Sequence, residues 1–526
     1  MLPFGLLDPK GVVGVSDLLA KNRIALVVSV LGLAGISALL FATLWILSFG
    51  PSDPGLGQLW TSAGVSTTVG GLGEVTVAVL GIALTVVAII VELAANRYTP
   101  RITELFLRDP VNILVLSTFV VTTTLVVWTS MSLHGPTVPG PMVFAALVAM
   151  SLSLLALLPY FAYVFRFLAP TRVVERLRLN VSRSMLYPEA PRARENLARG
   201  IEQLGEMVLN SVAGKDKTIA IAGINALYAV GLDFLTSDTA LPERWADSNL
   251  LHRGDQDFVA MHERLLAKLA PEQRWILMKV LRQYQTAFAE GLEHHPDINH
   301  LVAIRTRQLI QSALQRDDRE STKLAIRFLN TYLRKCINTG NIPNAYNVFN
   351  EYRILGGTLI DAGVNDLALQ VAERFRYYGL LAFHDHQAFT LETAAYDLSV
   401  LIEQAYLSGA VVHDQLLELF LDVDREPEGD RSQEVALRGV RKAQVKLATF
   451  YLDMGSDVHA RRVYDDMKDE IPERLQSIRD ELLAISQPEF WEVTDRGVNF
   501  DYLPEARREK LAEFFGWFGG ETAFTQ

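Results

Sequence analysis

The residue types in this 526-residue chain that could do chemistry fall at six places. Residues 59–74, LWTSAGVSTTVGGLGE, set Thr67, Thr68, Gly70, Gly71 and Gly73 beside an apolar run, and backbone carbonyls of such a stretch can replace an ion's water. Glu92 is a carboxylate near the end of that run. An ionisable group at membrane depth marks a functional site or a structural ion pair, and Arg97, Arg101 and Arg166 are its candidate partners. The other four stretches fail on spacing. Gly214-Lys215-Asp216-Lys217-Thr218 has Leu209 where a phosphate loop needs its first Gly and Asp216 where it needs Ser or Thr. It reads instead as a helix start with Asp216 or Thr218 at the cap. The histidines of His294-His295 and His384-Asp385-His386 do not converge on one ion from neighbouring or i, i+2 positions, and no HExxH pattern occurs. Residues 422–430, DVDREPEGD, put Gly429 at the sixth position of a calcium loop counted from Asp424, but Val435 stands where the bidentate Glu belongs. The expectation is a chain with no catalytic residues, no cofactor and no metal, and at most an ion path along Thr67, Thr68, Gly70, Gly71, Gly73 and Glu92, joined by Thr118 and Thr122.

Those residues need a membrane to hold them. Half of the chain is hydrophobic and its mean hydropathy is positive, which is too apolar for an ordinary soluble protein of this length. The excess is concentrated in front: residues 1–180 carry 10 Lys and Arg against 8 Asp and Glu, leaving 39 against 52, a balance of −13, for the rest. Uncharged or nearly uncharged runs at about 24–49, 75–95, 111–133 and 142–165 predict four spans. Lys10, Lys21 and Arg23 precede the first without a convincing cleavage pattern, so it reads as a retained anchor. The loops 50–73 and 134–141 contain no Lys or Arg, whereas Arg97, Arg101, Arg108, Arg166, Arg172, Arg176 and Arg178 flank the other ends. The positive-inside rule therefore places both termini in the cytoplasm, with Trp45, Trp60 and Trp128 toward the outer side. Ala145, Ala149 and Ser153 form a small-residue ridge on the fourth span. The Ser/Thr cluster of the third, Ser117 to Thr124, reads either as close packing or as a polar path.

Behind the spans, strand signals are nearly absent and helix-period stretches alternate with short breaks. Gly340, Gly363, Gly409 and Gly455 follow one another at 23, 46 and 46 residues, with the missing turns expected near His386 and within 422–434. A 23-residue helix-plus-turn, paired into hairpins of about 46, suits stacked helical repeats. Residues 488–518 then concentrate aromatic side chains, as a terminal cap or a docking segment would. The single cysteine, Cys336, excludes an internal disulfide. The acidic balance argues against nucleic acid as a partner.

Residues 87–110, VAIIVELAANRYTPRITELFLRDP, resemble the signature of the bacterial predicted-membrane-protein family known as domain of unknown function 2254. Residues 200–230, GIEQLGEMVLNSVAGKDKTIAIAGINALYAV, are similar to that family's soluble segment. The resemblance covers roughly residues 22–235 and departs from the pattern at Glu92, where Gln is usual, and at GKDKT. It implies a multi-pass protein of the bacterial inner membrane and no particular activity. The 59–74 stretch is also similar to the pore helix and filter of potassium channels, but Gly70-Gly71-Leu72-Gly73 replaces Gly-Tyr-Gly, so the carbonyl spacing differs.

The predicted architecture is all-α. An N-terminal segment (1–23) leads into a four-span transmembrane domain (24–170), a cytoplasmic helical domain (171–320), repeats of about 46 residues (321–487) and an aromatic-rich cap (488–526). Such a chain reads first as a membrane-anchored scaffold in the lipid bilayer, with a protein partner on its cytoplasmic domain. The alternative is a homo-oligomeric channel or transporter.

Overall fold

The computed structural model describes residues 35, 39, 62–97, 102–132, 140–247, 255–424, 431–489, 496–497 and 499–519. Nearly all of the first predicted span, Trp45, Trp60 and Arg101 lie outside them. The described residues are helical with no strand, and by packing the chain divides into residues 1–183 and 184–526.

In the first unit α1 (Ser62–Arg97), α2 (Ile102–Leu107), α3 (Pro110–Ser132), α4 (Gly140–Phe167) and α5 (Pro170–Leu186) follow one another. Helix α1 packs on α3 and α4, which pack on each other. Its buried stripe is Val69, Gly73, Thr76, Leu80, Ala83, Val87, Val91 and Ala94, a spacing of three and four residues that keeps one seam turned inward. The other faces expose Val75, Ile82, Ile89 and Leu93. A helix apolar all round with only a narrow buried seam suits lipid as its second solvent. On α4 the seam is Val143, Ala146, Met150, Ser153 and Tyr160. The expected ridge is therefore displaced: Ala145 is exposed and Ala149 half-buried, because the helix turns its larger apolar side chains inward along with Ala146.

Two expectations on spans change. Helix α1 starts at Ser62, so Thr67 to Gly73 are helical rather than part of a loop. Helix α7 (Lys217–Thr236), in the second unit, is also long and apolar enough to cross a membrane, making four such helices among the described residues with Thr67–Ala95, Pro110–Met131 and Met142–Phe167. No span was expected after residue 171. Its apolarity is used for packing, since it lies against α6 (Ala193–Ala213), α9 (Trp275–Gly291) and α10 (Pro296–Gln315) and buries Ile219, Ile224, Leu227 and Val230. Asp216 caps it, accepting from the Ile219 amide at 3.3 Å.

After the short α8 (Glu263–Leu269), α9 and α10, the second unit becomes periodic. Helices α10, α11 (Arg319–Asn338), α12 (Ile342–Asp361), α13 (Asn365–His384) and α14 (Ala388–Leu407) are each 20 residues long, and their first residues fall 23 apart. Each joint holds one left-handed residue: Asp317, Gly340, Gly363, His386 and Gly409, again 23 apart, with Gly455 46 further on. The turn expected near His386 is His386 itself, at φ 56°. The next amide reaches back to close each helix, Asn341 to Cys336 at 2.8 Å, Val364 to Leu359 at 2.9 Å and Gln387 to Ala382 at 2.9 Å, which satisfies carbonyls that the helix end leaves orphaned. Alternate helices also touch, α10 with α12 and α12 with α14, and α14 with α16 (Arg431–Asp453). Helices α15 (His413–Leu421), α17 (Asp457–Met467), α18 (Pro472–Ala484) and α19 (Glu505–Phe515) complete the unit.

Gly363 sits at φ +69° with open space where a Cβ would be, so a substitution there meets only conformational cost. Gly363→Ala is expected to lower stability by about 1 kcal/mol, whereas His386→Gly at the equivalent joint leaves stability unchanged or raises it. Thermal unfolding of the two variants followed by circular dichroism checks the contrast.

Candidate functional site

In the first unit the Asp109-Pro110 pair that closes the 87–110 segment has a clear physical role. Pro110 opens α3, a position where its missing N–H is no loss, and the Asp109 carboxylate caps the helix, accepting from the amides of Val111 at 2.9 Å and Asn112 at 3.3 Å. Asp109 and Asn112 are buried. Helix α4 answers with two phenols: Tyr163 donates to Asp109 Oδ1 at 2.6 Å and Tyr160 to Asn112 Oδ1 at 2.5 Å. The Asn112 amide closes the set by donating to the Phe106 carbonyl of α2 at 3.2 Å. Phe106 meets Phe167 edge-on at 5.5 Å, and Arg176 lies 3.8 Å over the Phe167 ring. The buried Asp109 carboxylate thus ties α3 to α4, Asn112 adds α2 and Arg176 on Phe167 adds α5, and hydrogen bonding of this kind is the condition for a polar group to be tolerated there.

Beside this lock is a pocket of about 410 Å³. Val87, Val91, Glu92, Thr103, Phe106 and Tyr160 line it, and Tyr160 is shared with the lock. Glu92 is exposed. Among the described residues it has no ion-pair partner, and the Arg97 and Arg101 side chains lie outside them. The structure does not bring Glu92 together with the Thr/Gly stretch, which lies at the other end of α1. Thr67, Thr68 and Gly71 are exposed and Gly70 half-buried. Gly73 is a packing residue: a Cβ there would meet Val126 Cγ1 at 2.7 Å. Of the third-span hydroxyls, Thr118, Thr123 and Thr124 bond to carbonyls one turn back in their own helix, and the buried Thr122 bonds across to Ser153 of α4 at 2.8 Å.

The second unit builds two charged sites from distant residues. Lys279, wholly buried, is held by Asp255 at 2.6 Å, Asp257 at 2.7 Å and Glu202 at 2.7 Å. Burial pulls its ammonium down, but Asp257 and Asp255 outweigh that and hold it above the ordinary lysine value. The other site joins the chain's end to the array. Arg496 donates to the buried Asp397 of α14 at 2.7 Å and stacks 4.0 Å over Tyr346 of α12. Phe500 stacks on Tyr396 at 4.1 Å between ring centres, and its carbonyl accepts from Lys446 of α16. Asp501 pairs with Lys442 at 2.8 Å, and Arg507 clasps Glu403 with bonds of 2.9 and 2.8 Å. Burial raises the Asp397 carboxyl even against Arg496 and Arg353, and burial brings Lys446 down to about 8. The aromatic tail caps the last helices, with Phe518 against Tyr464 at 4.8 Å, and it also lies along α12, α14 and α16. Sequence reasoning missed Asp109, Asn112, Tyr160, Tyr163, Asp397 and Arg496; the one signal within reach was the Asp-Pro pair, a cap followed by an N1 proline.

Tyr163→Phe removes a donor from a buried carboxylate and is expected to cost about 1.5–3 kcal/mol, while Leu107→Ala, at an exposed position, costs little. Gly73→Leu forces α1 away from α3 and lowers stability as well. Unfolding in mixed detergent micelles, with all three variants compared against wild type, reads these differences.

No curated protein and no solved structure matches the chain. Residues 21–221 match the model of a family described as Predicted membrane protein (DUF2254), which takes in residues 87–110 and most of 200–230, and four helices among the described residues are long and apolar enough to cross a membrane.

Proposed function

We propose that this protein is a membrane-anchored interaction protein whose helical repeats hold an extended polypeptide segment along α12, α14 and α16. The observation that carries this reading is the seat of the tail. Tyr346, Tyr396, Asp397, Glu403, Lys442 and Lys446 come from three helices of the array, and together they hold Arg496, Phe500, Asp501 and Arg507 by stacking, ion pairs and backbone bonds. Stacked helical hairpins present such rows of side chains because equivalent positions recur at each step. The segments that fit have an Arg and, four residues on, an aromatic ring, as Arg496 and Phe500 do. A partner of that pattern would compete with the tail. The positive-inside pattern of Lys and Arg supports a cytoplasmic location for this array.

The conduction reading has less support. The hydroxyls of Thr118, Thr123 and Thr124 are spent on their own helix and that of Thr122 on Ser153, and the Thr/Gly stretch is helical, so its carbonyls belong to a helical ladder rather than to a filter. Proteoliposomes are expected to show ion flux no higher than empty liposomes, with Glu92→Gln unchanged.

The binding test uses the full chain in detergent and a fluorescent peptide of residues 494–510. Arg496→Ala frees the seat, so the peptide binds that variant more tightly than wild type, and adding Asp397→Asn abolishes the gain. Peptide binding indifferent to both substitutions would sink the proposal. Arg496→Ala also leaves Asp397 buried without its main cation, at a cost of about 3–5 kcal/mol near neutral pH. An aspartate whose folded pKa is raised binds its proton more tightly in the folded state, so its contribution falls as pH rises. The stability gap between Arg496→Ala and wild type should therefore shrink as pH is lowered toward about 4, which denaturant titrations at a series of pH values read directly.

A further inference from the structure

Away from the tail's seat, the starts of α15 and α17 bring two imidazoles and a carboxylate together. His413 and His459 stand 46 residues apart, two steps of the 23-residue period, so they occupy equivalent positions in consecutive hairpins. Their ring centres are 4.8 Å apart. Asp414 Oδ1 lies 3.6 Å from His413 Nδ1 and 3.3 Å from His459 Nε2, and one ligand atom from each residue falls within 4.8 Å of the others. Ligand atoms at zinc–nitrogen distances in a tetrahedral shell are about 3.3 Å apart, so only a small side-chain adjustment closes the set on one ion.

The second ring nitrogen of each histidine is already engaged. His413 Nε2 bonds to the Tyr451 hydroxyl at 2.8 Å, and His459 Nδ1 bonds to the Ser456 hydroxyl at 2.7 Å. When those nitrogens carry the protons, the lone pairs of His413 Nδ1 and His459 Nε2 are left facing Asp414. This is the support that metal-ligating histidines have: an outer hydrogen bond that fixes both tautomer and ring orientation. His413 is buried and His459 half-buried, while Asp414 is exposed, so one side of the set is open to solvent. Arg462 now pairs with Asp414 Oδ1 at 2.9 Å. It is half-buried, with 37% of its side chain exposed, so its guanidinium has an open side toward water when another cation takes the carboxylate.

We propose that His413, Asp414 and His459 form a three-ligand site for a divalent first-row transition ion, with Zn²⁺ the best fit and water in the fourth position. Two imidazoles and one carboxylate select such an ion over Mg²⁺ or Ca²⁺, which prefer all-oxygen shells. The bound ion would tie α15 to α17, crosslinking two successive hairpins of the array.

The test uses the untagged full chain in detergent, stripped with a chelator and then titrated with Zn²⁺ against a chromophoric competitor, with metal content measured after gel filtration. Wild type retains one equivalent. His459→Gln and Asp414→Asn each weaken binding by about tenfold or more, and Arg462→Gln strengthens it by removing the competing cation. Co²⁺ in place of Zn²⁺ gives the intense visible bands of a four-coordinate site in wild type and loses them in His459→Gln. No retained zinc in wild type overturns the proposal, and so does wild-type affinity in His459→Gln. Should that variant fail to fold, Asp414→Asn, on an exposed side chain, decides the same question.

Discussion

The second unit depends on a constraint at its turns. A helix that must reverse within three residues needs one residue in the left-handed region, and this chain supplies one every 23 residues from Asp317 to Gly409. The period fixes helix length at 20 residues and brings alternate helices into register. Register in turn makes equivalent side chains line up. Tyr346, Asp397 and Lys446 belong to three different helices yet face one segment, and His413 meets His459 for the same reason. Gly carries the strained position at Gly340, Gly363 and Gly409, where it is nearly free, and Asp317 and His386 carry it at a local cost that packing on both sides absorbs.

The first unit obeys another rule. In lipid the apolar faces gain nothing from meeting one another, so helices are held by close approach and by polar groups that have nowhere else to go. Gly73 against Val126 supplies the first, and Thr122 with Ser153 and Asp109 with Tyr163 supply the second.

Much of this was legible in the chain. Helical character, the apolar spans from residue 67 onward and the 23-residue spacing of Gly340 and Gly363 all come from local periodicity, which a sequence displays directly. His386 was placed at a joint although nothing about histidine suggests a left-handed turn; only the period did. What escaped were pairs made by folding. Asp397 and Arg496 are 99 residues apart, and neither looks unusual among charged neighbours. Asp109 and Tyr163 are separated by a whole helical hairpin. Gly73 drew attention for its carbonyl, but it serves by lacking a side chain. Helix α7 reads in the sequence as a helix of the region behind the spans; it is long and apolar enough for lipid as well, and it uses that apolarity to pack against three neighbours.

The tail's position has a consequence for how the array would meet other molecules. A segment tethered to its own seat competes at an effective concentration on the order of millimolar, whatever the abundance of the protein. An incoming chain must therefore outbid a competitor that dilution cannot remove. On the proposed reading, weak encounters would be rejected without any dedicated gate, and only ligands with contacts beyond those of the tail itself would register. On that same reading, Arg496, Phe500 and Arg507 would set a built-in affinity threshold, adjustable by single substitutions among them.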